Sequence, residues 1–103
     1  MPSFAIRSIY HFGTNSAGIN VFEERIVGFI ASSVEGAHAK AEIEAEQYAA
    51  EYGYEVHSEQ IGYQLDSELN TQACELWSEL YESQCSLSEF YHSRYSAFLY
   101  EPE

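Results

Sequence analysis

The sequence predicts an α+β domain in which one long helix covers a face of an antiparallel three- or four-stranded sheet and a short helix follows near the C-terminal end. Three observations predict it. Two segments of alternating character flank a loop rich in Gly, Asn and Ser near the start. One uninterrupted stretch of helical periodicity runs between Ser33 and Gly53, and a Ser-x-x-Glu capping signal precedes a second, shorter helical pattern after residue 86.

The first strand spans about 3 to 12, where Phe4, Ile6, Ser8 and Tyr10 alternate with Ala5, Arg7, Ile9 and His11. Gly13 to Gly18 has the composition of a hairpin loop, and Val21 to Ala31 alternates again, so the second strand pairs with the first. Ser32 or Ser33 then caps a helix over 34 to 52, with Glu35 placed to complete a capping box on Ser32 and Gly53 as the stop. Val34, Ala37, His38, Ala41, Ala45, Tyr48, Ala49 and Tyr52 fall within an arc of about 120°, a stripe aimed at the sheet. Glu35, Glu42 and Glu46 share one flank of this helix, while Glu44 and Glu51 lie on the other.

Val56 to Leu65 reads as a third strand, diluted by Ser58, Gln60 and Gly62. Leu76 to Ser83 fits either a fourth strand or a helix continuing from Ala73, because Leu76, Trp77, Leu80 and Tyr81 suit both periods. Ser86-Leu87-Ser88-Glu89 is a capping box, and Leu87, Phe90, Tyr91, Arg94, Tyr95 and Phe98 continue it at helical spacing.

Phe22-Glu23-Glu24-Arg25-Ile26-Val27, the Ser-started helix with alternating Ala and Glu from Ala37 to Glu46, then Leu76 to Ser83 and Leu87-Ser88-Glu89-Phe90-Tyr91 together resemble the bacterial domain-of-unknown-function family numbered 4288. The likeness covers most of residues 4 to 95, departs at the polar insert Asp66 to Glu75, and implies a strand for 76 to 83. It implies no activity and no site residues.

The chain has 103 residues, which suits a single domain over 1-103. Apolar residues at 46% and aromatic ones at 16% give enough burial potential to offset the entropy of ordering, which excludes a disordered acidic tail. Seventeen acidic residues face four basic ones, for a net charge of −13. Nucleic-acid backbones and anionic membranes need clustered Lys and Arg, so neither is an expected direct partner. The excess is uneven: residues 1 to 33 are neutral, and between Lys40 and Arg94 there are 12 acids and no base. No apolar run reaches a membrane-spanning length of about 18 residues, and Met1-Pro2-Ser3-Phe4 lacks the marks of a signal peptide, so a cytoplasmic location is expected.

Few residues suggest catalysis. Two E-x-x-H pairs, Glu35 with His38 and Glu89 with His92, have the spacing used in di-iron bundles, but a chain that spends its apolar residues on strands cannot build that bundle, and no metal or other cofactor is expected. Cys74 and Cys85 form no C-x-x-C pair and read as reduced thiols. No G-x-S-x-G, phosphate loop, H-E-x-x-H or dinucleotide fingerprint occurs, so no catalytic residues are assigned. Tyrosine is the richer signal: Tyr48, Tyr52, Tyr63, Tyr81, Tyr91, Tyr95 and Tyr100 exceed what a small core holds, and exposed Tyr makes a rigid contact surface. The expected function is therefore a non-enzymatic acidic binding protein, an inhibitor or immunity-type protein that neutralises a basic protein partner such as a toxin or a nucleic-acid enzyme. The expected partner-binding residues are Glu42 and Glu46 on the helix flank, with Glu75, Glu79 and Glu82 around Trp77 and Tyr81. The alternatives are a structural or regulatory module using an exposed Tyr patch and, third, a small hydrolase.

Overall fold

The structure, a computed structural model, describes residues 1–96, with side chains through Arg94. Its architecture is α+β, with five antiparallel strands and two helices, one long and one short. Strands β1 (Ser3–Thr14) and β2 (Asn20–Ile30) form a long hairpin in which Ser3 faces Ile30 and Thr14 faces Asn20. Asn15 closes its loop, as its side-chain oxygen accepts from the Ala17 and Ile19 amides at 2.9 and 3.0 Å, in the manner of Asn in tight turns. A bulge between His11 and Gly13 is accommodated by the positive φ of Gly13, 132°.

Helix α1 (Val34–Tyr52) starts at Ser33, whose hydroxyl accepts from the Gly36 amide at 3.1 Å, and ends at Gly53, where φ is 73°. The cap is thus Ser33 alone, and the expected reciprocal box between Ser32 and Glu35 is replaced by it. The buried ridge is Ala37, Ala41, Ala45 and Ala49, at i, i+4 spacing, and these small side chains let the helix axis approach the sheet closely. They pack on Phe4, Ile6, Val27 and Phe29 at one end and on Tyr10 at the other. Tyr52, expected in the stripe, is 55% exposed, because it sits in the last turn beyond the sheet edge and stacks on Tyr54 instead.

The expected third strand is split. Strand β3 (Glu55–Val56) pairs with β1 at Tyr10 and His11, and strand β4 (Ile61–Gln64) pairs with the same edge at Phe4 to Arg7. Between them the chain rises over Ser8, held by the Gln60 amide donating to the Ser8 hydroxyl at 2.8 Å. Gly62 lies where a Cβ would meet the ends of the Ile6 and His38 side chains, so a larger residue there would have to displace them. Residues 65–73 then cross the sheet end: the Leu69 amide donates to the Ser3 hydroxyl at 2.8 Å, and the Gln72 side chain accepts from the Ile30 amide and donates to its carbonyl.

Strand β5 (Cys74–Ser83) takes the strand alternative for 76 to 83 and runs antiparallel to β2, with Asn20 opposite Ser83 and Gly28 opposite Cys74. The sheet order is β3-β1-β2-β5, with β4 continuing the β3 edge. Helix α1 covers one face above β1, β2 and the β3 and β4 edge. Helix α2 (Leu87–Ser96) covers the opposite face, where Phe90 stacks on Phe22 at 4.3 Å and Tyr91 packs with Ile9. It opens on the expected box, the Glu89 amide donating to Ser86 and the Ser86 amide donating to the Glu89 carboxylate, which holds that carboxyl below the usual range. The expected helical positions Tyr95 and Phe98 have side chains outside the described residues.

Candidate functional site

Strand β5 is the outermost strand on its side of the sheet, and residues 75–80 are all exposed. Its period of two sends Ser78, Leu80 and Glu82 to the α1 face, opposite Arg25, Glu23 and Val21. Trp77, Glu79 and Tyr81 point to the α2 face, opposite Ile26, Glu24 and Phe22. A bulge at Ile26/Val27 gives this strand an additional residue near Leu76. Because α1 is centred on β1 and β2, it leaves β5 open on its own face, where Leu80 is 54% exposed; Leu76 is 41% exposed and Trp77, on the α2 face, 40%. Large apolar side chains uncovered on an edge strand are unusual in a monomeric protein unless they mark a contact surface.

Carboxylates alternate with these apolar groups. Glu79 accepts from the Tyr81 hydroxyl at 2.7 Å, and burial followed by this bond pushes the Tyr81 phenol up to about 12. Arg94 from α2 lies over the Tyr81 ring, 4.6 Å from its centroid. Glu82 accepts from the side-chain amide of Asn15, which ties the far end of β5 to the hairpin loop. At the near end, Glu75 accepts from the Arg25 Nε at 2.6 Å.

Arg25 is the centre of a larger cluster. It is 7% exposed, donates twice to Glu44 at 2.8 and 2.9 Å, and lies 3.8 Å from the centroid of the Tyr48 ring. Burial disfavours its charge, but Glu44 and Glu75 outweigh burial and hold the guanidinium protonated more firmly than in water. Tyr48 donates to Glu23 at 2.7 Å. Burial pushes the Glu23 carboxyl up, opposed by the Tyr48 bond and the Arg25 charge; burial also pushes the Tyr10 phenol up to about 12. One turn of α1 and the start of β5 are thus clamped to a single arginine on β2.

The expected site residues divide. Glu75, Glu79, Glu82, Trp77 and Tyr81 share β5, but Glu42 and Glu46 lie on the other flank of α1, beside Val56, His57 and Gln60 in a groove of about 170 Å³. The helical acid that faces β5 is Glu44, bordering a mainly apolar groove of about 330 Å³ between α1 and residues 72–73 with Phe29 and Ile43. The tyrosines do not make one patch either. Tyr48, Tyr52 and Tyr54 cluster at one end of the α1 face and Tyr63 is on β4, whereas Tyr91 is buried against His57 at 4.0 Å. Tyr100 lies outside the described residues.

The residues that pattern reading passed over are Glu23, Glu24 and Arg25, counted as part of a neutral segment although all three are buried. Their signal was three consecutive charges inside a strand otherwise made of Val, Phe and Ile. Cys74 and Cys85 stand at the start of β5 and just past its end, about 30 Å apart at strand rise, far beyond disulfide reach. Among the described residues no three His, Cys, Asp or Glu side chains converge on a metal position, and no helix is long and apolar enough to cross a membrane. Comparison with protein-family models, curated proteins and solved structures finds no match to this chain, so the geometry of β5 and its surroundings carries the functional argument by itself.

Proposed function

We propose that the chain is a non-enzymatic acidic binding protein, of inhibitor or immunity type, that neutralises a basic protein partner and meets it with strand β5. The observation that carries this reading is the run of exposed residues 75–80 on the outermost strand, where carboxylates are interleaved with uncovered Leu76, Trp77 and Leu80. That combination suits a contact whose apolar centre supplies residence time while surrounding charge supplies steering. A net charge of −13 concentrated after residue 34 attracts a cationic surface from beyond contact range, and a partner that normally holds phosphate would meet carboxylates in its place.

Glu42 and Glu46, being on the far flank of α1, serve as the internal control. A basic partner captured from the source cell is measured for association rate against wild type, against Glu79→Lys with Glu82→Lys, and against Glu42→Lys with Glu46→Lys. At low ionic strength the β5 pair should slow association about tenfold and the helix pair much less, and the difference should shrink as salt screens it. Equal association rates for wild type and the β5 pair would remove the proposal.

A further inference from the structure

Strand β5 offers more than side chains. Among the described residues it pairs with β2 on one side, and no strand lies on its other side. An outermost strand leaves a row of backbone N–H and C=O groups free to pair with an added strand. At ten residues it is nearly as long as the eleven-residue β2, and α1 leaves it uncovered, packing on β1 to β4. The opposite edge differs, since β3 and β4 are short pieces of two and four residues with a rise between them. Long continuous edges are ordinarily blunted, and among the described residues this one carries negative charge along its length and the bulge near Leu76 at its start.

Charge decides what can occupy it. A second copy pairing β5 antiparallel with β5 would set Glu75 against Glu82 or Glu79 against Glu79, depending on register, under a repulsion of −13 on each chain. An extended basic segment meets the opposite situation, because cations opposite directly facing Glu side chains stabilise a strand pair. Building on the reading of this chain as a binder of basic proteins, we infer that β5 accepts an extended, Lys- or Arg-containing segment of the partner as a sixth, antiparallel strand. The segment places cations opposite Glu75, Glu79 and Glu82 and apolar residues opposite Trp77 and Leu80. Backbone pairing gives the affinity and this alternation gives the choice of partner.

Trp77 is the single tryptophan and lies in the strand concerned, so its emission reports binding directly. The probe is a capped ten-residue peptide with Lys opposite the three Glu positions, Val opposite Trp77 and Leu80, and Thr elsewhere. Its control has the same sequence and charge but is N-methylated at alternate residues, which blocks strand pairing. With the full chain at low ionic strength, the parent peptide should shift Trp77 emission and the methylated peptide should bind about tenfold more weakly or worse. Leu80→Lys, at an exposed position, should weaken the parent peptide about tenfold with an unchanged melting temperature. Equal binding of the two peptides overturns strand addition while leaving the carboxylate surface in place. Binding of neither overturns both, and a concentration-dependent dimer of the free chain in sedimentation overturns the inference in favour of a second copy.

Discussion

The two faces of the sheet solve the same problem with opposite charges. On the α1 face the buried cluster centres on a cation, Arg25, held between the carboxylates of Glu44 and Glu75 with the buried Glu23 beside it. On the α2 face it is an anion, Glu24, 1% exposed, with Arg94 at 2.8 Å and Arg7 at 3.9 Å. Neighbouring residues of one strand point to opposite sides, so a single Glu-Arg dipeptide in β2 seeds both clusters. They differ in what happens when their partners are lost. A buried carboxyl can take up a proton and become neutral, whereas a guanidinium stays charged at any pH a protein survives. The α1 face is therefore committed to the carboxylates that surround Arg25.

The comparison breaks most severely if α1 is lifted away. Ala45→Asp puts an unpaired charge at a position 2% exposed, against Tyr10, at a cost of several kcal/mol, a large share of the roughly 5–15 kcal/mol that hold a domain folded. The variant should be unfolded or melt far below wild type, while an unchanged melting temperature would show that this ridge does not face the sheet.

A gentler pair of variants sharpens the contrast itself. Glu44→Ala with Glu75→Ala strips the partners from Arg25 and should cost about 3 kcal/mol in denaturant unfolding, discounted from the fully buried figure because Glu75 is half exposed. Arg7→Ala with Arg94→Ala should also destabilise, because it takes two cations away from a carboxylate that is 1% exposed. An unchanged unfolding free energy for either double variant would show that its face does not rest on these ion pairs.

The smallest effect concerns Glu23, next to the Arg25 cluster. Burial raises its folded pKa above the unfolded value, so the stability it contributes is fully present below the unfolded value and is lost as pH rises through the folded one. Glu23→Gln keeps an oxygen that can accept from Tyr48 and should flatten the wild-type decline across that acid-to-neutral window. An unaltered slope in urea titrations would assign the decline to other groups.

Much of this fold can be read from local pattern, because the decisive signals are local. The β1–β2 hairpin, the alanine ridge of α1 with its Gly53 stop, and the Ser86 and Glu89 cap are each set within a few residues. The breaks have physical causes beyond that range. The third strand splits because Gln60 bonds back to Ser8 and Gly62 must fit under His38, contacts made across more than twenty residues. At the candidate site, alternation placed Trp77 and Tyr81 on one side of β5 but could not say that α1 stops short of it. The helical wheel separated Glu42 from Glu44, yet only the strand order shows that Glu44 faces β5 and Glu42 faces β3. Arg25 was the hardest to foresee, since its second carboxylate, Glu75, is fifty residues along the chain.

The pairing of β2 with β5 also sets an order of events during synthesis. The hairpin and α1 are made of near neighbours in sequence, while β5 closes onto β2 only after some forty further residues have been made, a delay of several seconds at about 5–20 residues per second. Until β5 is made, the β2 edge lacks its partner strand and Arg25 lacks Glu75. A ribosome paused before residue 74 would hold an intermediate ready to pair with the wrong strand. Synonymous changes that slow decoding between 53 and 73 should therefore raise aggregation in the cell while leaving the purified protein's stability untouched.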